Sequence, residues 1–200
     1  MKNLLVIKSS LFNGQGQSSR LVQSYVERWQ QANPDAVVTL RDLAAEPVPH
    51  LDGDAFSAFV SDGGKLSGSQ RQALERSDRL IEELKVADQV VIGLPMYNFS
   101  VPSTFKAWMD HVARAGVTFR YTENGPQGLL EDRPLTVITT RGGIYRDTEN
   151  DTEVGLVKLF FGMLGIRNVR IVYAEGLALG EQSAEQALSE ASDEIKRLAA

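Results

Sequence analysis

The fold of this chain is decided at residues 94–102, which read Leu94-Pro95-Met96-Tyr97-Asn98-Phe99-Ser100-Val101-Pro102. This stretch ends an uninterrupted apolar run, predicted as a buried strand over residues 88–94, and leads into a predicted helix after Pro102. In an open parallel sheet, ligands bind outside the carboxyl ends of the strands. The aromatic and amide side chains of this loop are therefore expected where a flat ring could be held.

Strands and helices alternate along the rest of the chain. Short apolar runs predict strands over residues 3–7, 36–40, 88–94, 135–139 and 169–174. Helical spacing predicts a helix with Ser18 as its N-cap, a helix that runs from Pro102 to Gly116, and others over residues 69–85, 149–164 and 182–198. Such βα units favour an α/β fold with a parallel sheet and right-handed crossovers.

Two segments interrupt this alternation. Proline and glycine break up residues 42–68, which we interpret as a variable, lid-like region. Residues 117–130 contain an Asn124-Gly125 turn, which predicts a hairpin-like excursion able to reach a neighbouring subunit. At 200 residues the chain has the size of one domain, so residues 1–200 are expected to form a single domain.

The composition excludes several classes of function. The chain contains no cysteine, which excludes disulfides, thiol nucleophiles and cysteine-ligated metals. Its net charge of -5 comes without a basic stripe, so we expect no nucleic-acid partner. No apolar run is long enough to span a bilayer and no signal-peptide pattern is present, so we expect a cytoplasmic protein with no membrane association.

The loop between Ser10 and Ser18 is a candidate phosphate site. The helix that follows directs unpaired N–H groups and its positive dipole end at this loop, and the serine hydroxyls add donors. The loop has neither the ending of a Walker motif nor the third glycine of a GxGxxG motif. Taken alone, it fits an ordinary turn as well as it fits a phosphate site.

Two other loops favour a bound flat ring. The sequence Thr140-Arg141-Gly142-Gly143 permits close backbone approach to a ring edge, although a plain turn is the alternative. Its N–H groups would offset negative charge there, and so would Arg141 if its guanidinium faces the ring. We favour the N–H groups and an exposed Arg141, because water screens an exposed guanidinium. If the loop around Asn98 were core packing, it would bury an amide without evident reason, so we favour a ring wall.

Hydrolase and metal chemistry find no support. The chain has no GxSxG motif, and His50 and His111 lack the spacing of metal ligands, so each is interpreted as a surface residue or one that supports the site from behind. His111 alternatively lies near a cofactor, since its helix starts at the ring loop. The apolar stripe of that helix is interpreted as core or subunit packing and comprises Phe105, Trp108, Met109 and Val112.

Taken together, these motifs resemble the FMN-dependent NADH:quinone oxidoreductases, also called azoreductases, of the flavodoxin-like superfamily. The resemblance covers essentially the whole chain. It is carried by Lys8-Ser9-Ser10, Gln17-Ser18, Arg41-Asp42-Leu43-Ala44, Pro95 to Phe99, Ala113 to Pro126 and Arg141-Gly142-Gly143.

The resemblance implies a flavodoxin-like doubly wound sheet of five parallel strands in the order 2-1-3-4-5, and a homodimer with one FMN per subunit. The phosphate would lie at Ser10, Gly16, Gln17 and Ser18. The ring wall would comprise Pro95, Met96, Tyr97, Asn98 and Phe99, and the pyrimidine edge would meet Thr140, Arg141, Gly142 and Gly143. Residue types, rather than the resemblance, predict a substrate pocket at Asn98, Phe99, Phe119, Tyr121, Phe161 and Tyr173, although each of the last four could equally be core.

The implied mechanism is ping-pong. NADH or NADPH gives a hydride to N5 of FMN and leaves, and a quinone takes its place, so no catalytic side chain and no metal are expected. Azo bonds would be cleaved to amines in two such cycles. Two alternatives stay open at this point: a flavodoxin-type electron carrier and a non-catalytic flavin-sensing protein.

Overall fold

The computed structural model describes residues 1–12, 14–61 and 64–199. In these ranges the strands are β1 (Asn3–Lys8), β2 (Val37–Asp42), β3 (Gln89–Pro95), β4 (Phe119–Thr122), β5 (Gly125–Gly128), β6 (Leu135–Thr140) and β7 (Val169–Ala174). The helices are α1 (Gln17–Ala32), α2 (Gly53–Phe59), α3 (Gly68–Val86), α4 (Ser103–Val112), α5 (Thr152–Leu164) and α6 (Glu181–Leu198).

Five strands form one parallel sheet in the order β2-β1-β3-β6-β7. The predicted order 2-1-3-4-5 is therefore confirmed, because β4 and β5 form a separate antiparallel hairpin within the predicted excursion. The central strands β3 and β6 are buried along almost their whole length. This burial explains why they read as continuous apolar runs rather than as alternating ones.

Helices cover both faces of the sheet. Because side chains alternate along a strand, Ile7 and Ile92 face one core while Val6 and Val91 face the other. The first core is closed by α3, α4 and α5, and it contains the predicted stripe of Phe105, Trp108, Met109 and Val112. The second core is closed by α1 and α6. The sheet is thus doubly wound.

Several helix ends differ from the predictions. Ser18 is not an N-cap, since Gly16 occupies that position and α1 begins at Gln17. Helix α5 begins at Thr152 rather than at residue 149. Helix α4 ends at Val112, and Gly116 lies in the following turn with a φ of 79°. Local signals locate a helix end poorly, because caps are chosen by the packing around them.

The segment predicted to be irregular, residues 42–68, contains the short helix α2. Asp52 caps this helix by accepting a hydrogen bond from the Ala55 N–H at 2.8 Å. Ala55 and Ala58 are buried where α2 packs against α3, so tertiary contact stabilises a helix too short to persist alone. Asp62 and Gly63 of this segment, Asn13 of the predicted phosphate loop, and Ala200 lie outside the described residues. Each helix within the described ranges lacks the length or the apolar character needed to cross a membrane.

Candidate functional site

The carboxyl ends of β1, β3 and β6 surround a cavity of about 180 Å³. The sequence-predicted residues that line it are Ser10, Gly16, Gln17, Ser18, Pro95, Met96, Tyr97, Thr140, Arg141 and Gly142, and they are joined by Phe12 and Leu177. Asn98 lines a neighbouring cleft instead. The parallel sheet therefore brings together three loops that are more than 30 residues apart in sequence.

The β1–α1 side of the cavity has the properties of an anion site. The N-terminus of α1 opens onto it, and the hydroxyl of Ser18, which lines it, is buried without a hydrogen-bond partner among the described residues. A Cβ on Gly16 would lie 2.2 Å from Ser10 Oγ, so only glycine allows the serine to sit there. A buried hydroxyl without a partner at a helix N-terminus fits the terminal phosphate of a ligand.

The β3–α4 loop forms a wall of this site. Its turn is closed by two backbone hydrogen bonds between Tyr97 and Ser100, at 2.9 and 3.0 Å. Asn98 and Phe99 have left-handed φ values of 51° and 60°, and both are exposed. Exposure excludes core packing as the reason for these residue types. Non-glycine residues in this conformation cost energy and often mark binding sites.

The β6–α5 loop forms the opposite edge. Its backbone is tied to the loop after β7, since Ala178 N–H donates to Gly142 O and Gly176 N–H donates to Gly143 O, each at 2.9 Å. Within the described residues, the N–H groups of Gly142 and Gly143 donate to no protein atom. These two donors are available to a ligand at this edge.

The expectation of an exposed Arg141 is wrong. Its guanidinium is fully buried and lies 2.6 Å from Asp151, 3.1 Å from Glu175 and 3.2 Å from Glu153. These carboxylates raise the pKa of Arg141, although burial acts in the opposite direction and is the largest single influence on it. The guanidinium is thus committed to anchoring the loop from behind. The backbone of Arg141 is also paired within the protein, since its N–H donates to Ala174 O at 2.9 Å and its carbonyl oxygen accepts from Leu177 N–H at 3.1 Å.

Glu153 and Tyr173 belong to the same buried cluster. Burial raises the pKa of Glu153 to about 7, and its carboxylate accepts a hydrogen bond from Thr139 Oγ1 at 2.7 Å. Burial, followed by the charge of Asp151, raises the pKa of Tyr173 to about 12. Sequence reasoning missed Asp151 and Glu153, because acidic residues at the start of a helix ordinarily favour its dipole. The only signal in the sequence is that these two acidic residues lie two positions apart, at the end of the loop after β6.

Three predicted pocket aromatics lie away from the cavity in this chain. Phe161 is fully buried in the first core, with its ring 6.2 Å from that of Trp108, so its assignment to the pocket is wrong. Phe119 is also buried in that core. The Tyr173 ring lies between the guanidinium groups of Arg141 and Arg146, at 5.1 and 4.8 Å, so it does not roof the pocket. Tyr121 is 76% exposed on the hairpin.

A larger cleft of about 780 Å³ adjoins the ring wall and shares Met96 and Tyr97 with the first cavity. Asn98 lines it, and so do His50 and Lys106, which sequence reasoning did not assign to a site. His50 comes from the segment after β2, whose path no local pattern predicts. This cleft, with apolar and polar walls, could take a second flat ligand beside the first.

His111 lines neither of these two cavities. It is buried against Pro49, with Nε2 3.0 Å from the Pro49 carbonyl oxygen, so its interpretation as a surface residue is wrong. Burial lowers its pKa and keeps the ring neutral. Among the described residues, no group of three potential ligand side chains could hold a metal ion.

Comparisons with known proteins agree with this fold. A family model described as flavodoxin-like fold matches residues 2–199. The FMN-dependent NADH:quinone oxidoreductase of Alcanivorax borkumensis is 52% identical over 96% of this chain and 98% of its own length, and that of Cellvibrio japonicus is 45% identical over 98% of each.

Solved structures lead to the same group of proteins. An azoreductase from Bacillus anthracis superposes with a TM-score of 0.91 at 27% identity, over 100% of this chain and 99% of its own. An FMN-dependent NADH-azoreductase from the same organism, solved in complex with FMN, has a TM-score of 0.89 at 29% identity over the whole of both chains.

Proposed function

Since the chain belongs to the flavodoxin-like family of FMN-dependent NADH:quinone oxidoreductases, we propose that it holds FMN at the carboxyl edge of the sheet and reduces quinones with NADH. Azo compounds are a second class of acceptor. The phosphate would bind at Ser10, Gly16, Gln17 and Ser18, and the ring would lie between the loops of residues 95–99 and 140–143. One domain, residues 1–200, would suffice for this site.

The observation that carries the proposal is the buried hydroxyl of Ser18, which lines the cavity at the start of α1 and has no hydrogen-bond partner among the described residues. A buried hydroxyl without a partner costs about 1–3 kcal/mol, so such a hydroxyl is expected where a ligand satisfies it. A terminal phosphate provides the acceptor oxygens and the negative charge that the helix N-terminus favours. The cavity residues therefore fit FMN.

The protein contributes position and electrostatics. Bound FMN supplies the chemistry that accepts and donates a hydride. The Gly142 and Gly143 N–H groups, which donate to no described protein atom, would meet the ring edge where negative charge develops. Preorganised donors stabilise such charge most where water is excluded. Met96 N–H donates to Thr140 O at 3.0 Å, so the two ring loops keep a constant separation.

The cleft beside the ring wall is the proposed place for donor and acceptor. Because both are flat and need the same face of the ring, they are expected to occupy it in turn. We infer that NADPH is an alternative donor, because the cationic Lys106 lines the cleft. In the described structure this lysine is paired with Asp110 at 2.6 Å. No side chain that acts as an acid or base is required.

The test is the visible spectrum of the purified protein, followed by anaerobic addition of NADH and then of a quinone. Flavin absorption that NADH bleaches and quinone restores, over many turnovers, supports the proposal. Flavin that NADH leaves unbleached would point to an electron carrier instead. Full loading with FMN but no turnover would indicate a sensing protein.

We also propose a homodimer. Leu159 on α5 and Tyr121 on the hairpin are exposed by 75% and 76%, and Leu129 is exposed beside the hairpin. A second copy would cover these apolar groups and bring Tyr121 toward the acceptor cleft. Sedimentation across a dilution series, with activity measured in parallel, tests this. A fully active monomer would exclude a role for the partner in the pocket.

The cellular location and the other partners follow from the same proposal. Dependence on NADH favours the cytoplasm, where that donor is produced, and the net charge of -5 disfavours nucleic acid. Fractionation of cells that express the protein tests the location. Recovery in the membrane fraction would contradict it.

A further inference from the structure

The first turn of α5 contacts both loops that would hold the ring. Thr152 Oγ1 donates a hydrogen bond to the Phe99 carbonyl oxygen in the ring wall. Its neighbours Asp151 and Glu153 contact the guanidinium of Arg141 in the ring-edge loop. Three consecutive residues therefore connect the two sides of the cavity, and the position of α5 sets the position of both.

Glu153 is the most deeply buried member of this turn. Its Oε2 accepts hydrogen bonds from Thr139 Oγ1 at 2.7 Å and from Arg141 Nη2 at 3.2 Å. Its Oε1 has no hydrogen-bond partner among the described residues. A fully buried carboxyl with an unpaired oxygen lowers stability, so its presence directly behind the cavity calls for a reason other than stability.

The charges around Glu153 do not balance. Arg141 brings one positive charge, whereas Asp151, Glu153 and Glu175 bring three negative ones if all are ionised. Tyr173 and Arg146 are the remaining titratable groups packed against this cluster. Arg146 is left out of the balance because its side chain is 60% exposed and lies 3.5 Å from the carboxylate of Asp147. Asp151 and Glu175 keep 11% and 10% of their side chains exposed, whereas Glu153 keeps none. Glu153 is therefore the carboxyl that takes up a proton first.

We propose that Glu153 is a positioning residue. Through its contact with Arg141, Glu153 holds the loop of residues 140–143 against the ring edge of FMN. This inference rests on the proposed function. With a proton on Glu153, the loop is anchored with one excess negative charge in the cluster. Ionisation adds a second excess charge beside an unpaired oxygen, which favours opening of the loop and weakens the binding of FMN. The pKa of about 7 places this change near neutral pH.

The test compares Glu153→Gln and Glu153→Ala with the wild type by titrating the apoprotein with FMN, at about pH 6 and about pH 8, and following flavin fluorescence. Glu149, exposed and four residues away, supplies the matched controls Glu149→Gln and Glu149→Ala. We expect Glu153→Ala to weaken FMN binding about tenfold or more at the lower pH. Glu153→Gln, which retains the acceptor oxygen, should bind within about threefold of the wild type there.

The pH profile separates positioning from general support of the fold. The affinity of the wild type should fall by several-fold more than that of Glu153→Gln between the two pH values. Because both proteins meet the same titrating phosphate, the difference isolates Glu153. If Glu153→Ala does not fold, the profile of Glu153→Gln decides alone.

Two results would overturn the inference. One is FMN binding by Glu153→Ala equal to that of Glu149→Ala, and the other is a pH dependence of Glu153→Gln identical to that of the wild type. Failure of the proposed function looks different, since the wild type itself would then bind no FMN at either pH.

Discussion

The replacement Gly16→Ala tests the proposed phosphate site by displacing one atom, Oγ of Ser10. The added Cβ would lie 2.2 Å from Ser10 Oγ and 3.0 Å from Ser10 Cβ, so the serine hydroxyl must move by about 1 Å to reach an ordinary contact distance. Gly16 has a φ of -66°, which alanine adopts without strain. The change therefore acts on the hydroxyl of Ser10 and not on the backbone.

The expected loss is that of one hydrogen bond to a charged group, about 1.5–3 kcal/mol. It corresponds to FMN binding that is roughly 10- to 150-fold weaker. Titration of the apoprotein with FMN measures it. Gly68→Ala is the matched control, since a Cβ there meets nothing within 4 Å.

A double-mutant comparison identifies the mechanism. If Gly16→Ala acts by displacing the hydroxyl, it should weaken binding by much less in a Ser10→Ala background, where no hydroxyl remains to be displaced. Unchanged FMN affinity in Gly16→Ala, or full additivity with Ser10→Ala, would refute the placement of the phosphate beside Ser10.

Three other predictions concern the buried residues. The pKa of Glu153 is about 7 in the folded protein against an ordinary 4.5, so the folded protein binds more protons than the unfolded one between these pH values. The free energy of unfolding of the wild type should therefore fall as pH rises from 4.5 to about 7, by up to roughly 3 kcal/mol relative to Glu153→Gln. The same pH dependence of the unfolding free energy in both proteins would contradict this. Arg141→Ala should lower the free energy of unfolding, measured by urea denaturation, by about 3–5 kcal/mol, because it leaves buried carboxylates without a counter-charge. A loss below about 1 kcal/mol would show that protons already neutralise these carboxylates. Phe161→Ala should lower the free energy of unfolding by about 3–5 kcal/mol in the same assay, because it leaves a cavity in the core. The KM for quinone should stay within about twofold of the wild type at a temperature where the variant is folded, and a selective rise in KM would show that Phe161 does line the pocket.

The strand-end motifs were predictable because each depends on few residues that are close in sequence. A buried parallel strand requires an apolar run, and the loop at its carboxyl end must reach the shared edge of the sheet. The apolar runs predicted over residues 3–7, 88–94 and 135–139 therefore already implied one site, and the observed strands end within one residue of them, at Lys8, Pro95 and Thr140. The special backbone at Asn98 and Phe99 is compatible with the aromatic and amide character of that loop.

The roles of aromatic and charged side chains were less predictable. Phe161 and Tyr173 have the residue types of a pocket roof, yet one packs against Trp108 in the core and the other lies between two guanidinium groups. Arg141 was expected at the surface and is buried. The sequence contains no signal for these outcomes, because each depends on which side of a helix or strand meets another element.

The sequence by itself determined the doubly wound sheet, the edge at which the site lies and the family to which the chain belongs, since these follow from local periodicity and short motifs. Only the tertiary structure decided that Asp151, Glu153 and Glu175 converge on Arg141, and that His50 reaches the cleft beside Met96. The physical reason is that burial and charge pairing depend on distances between distant segments. Those distances are set by the packing of whole elements, and no short stretch of sequence encodes them.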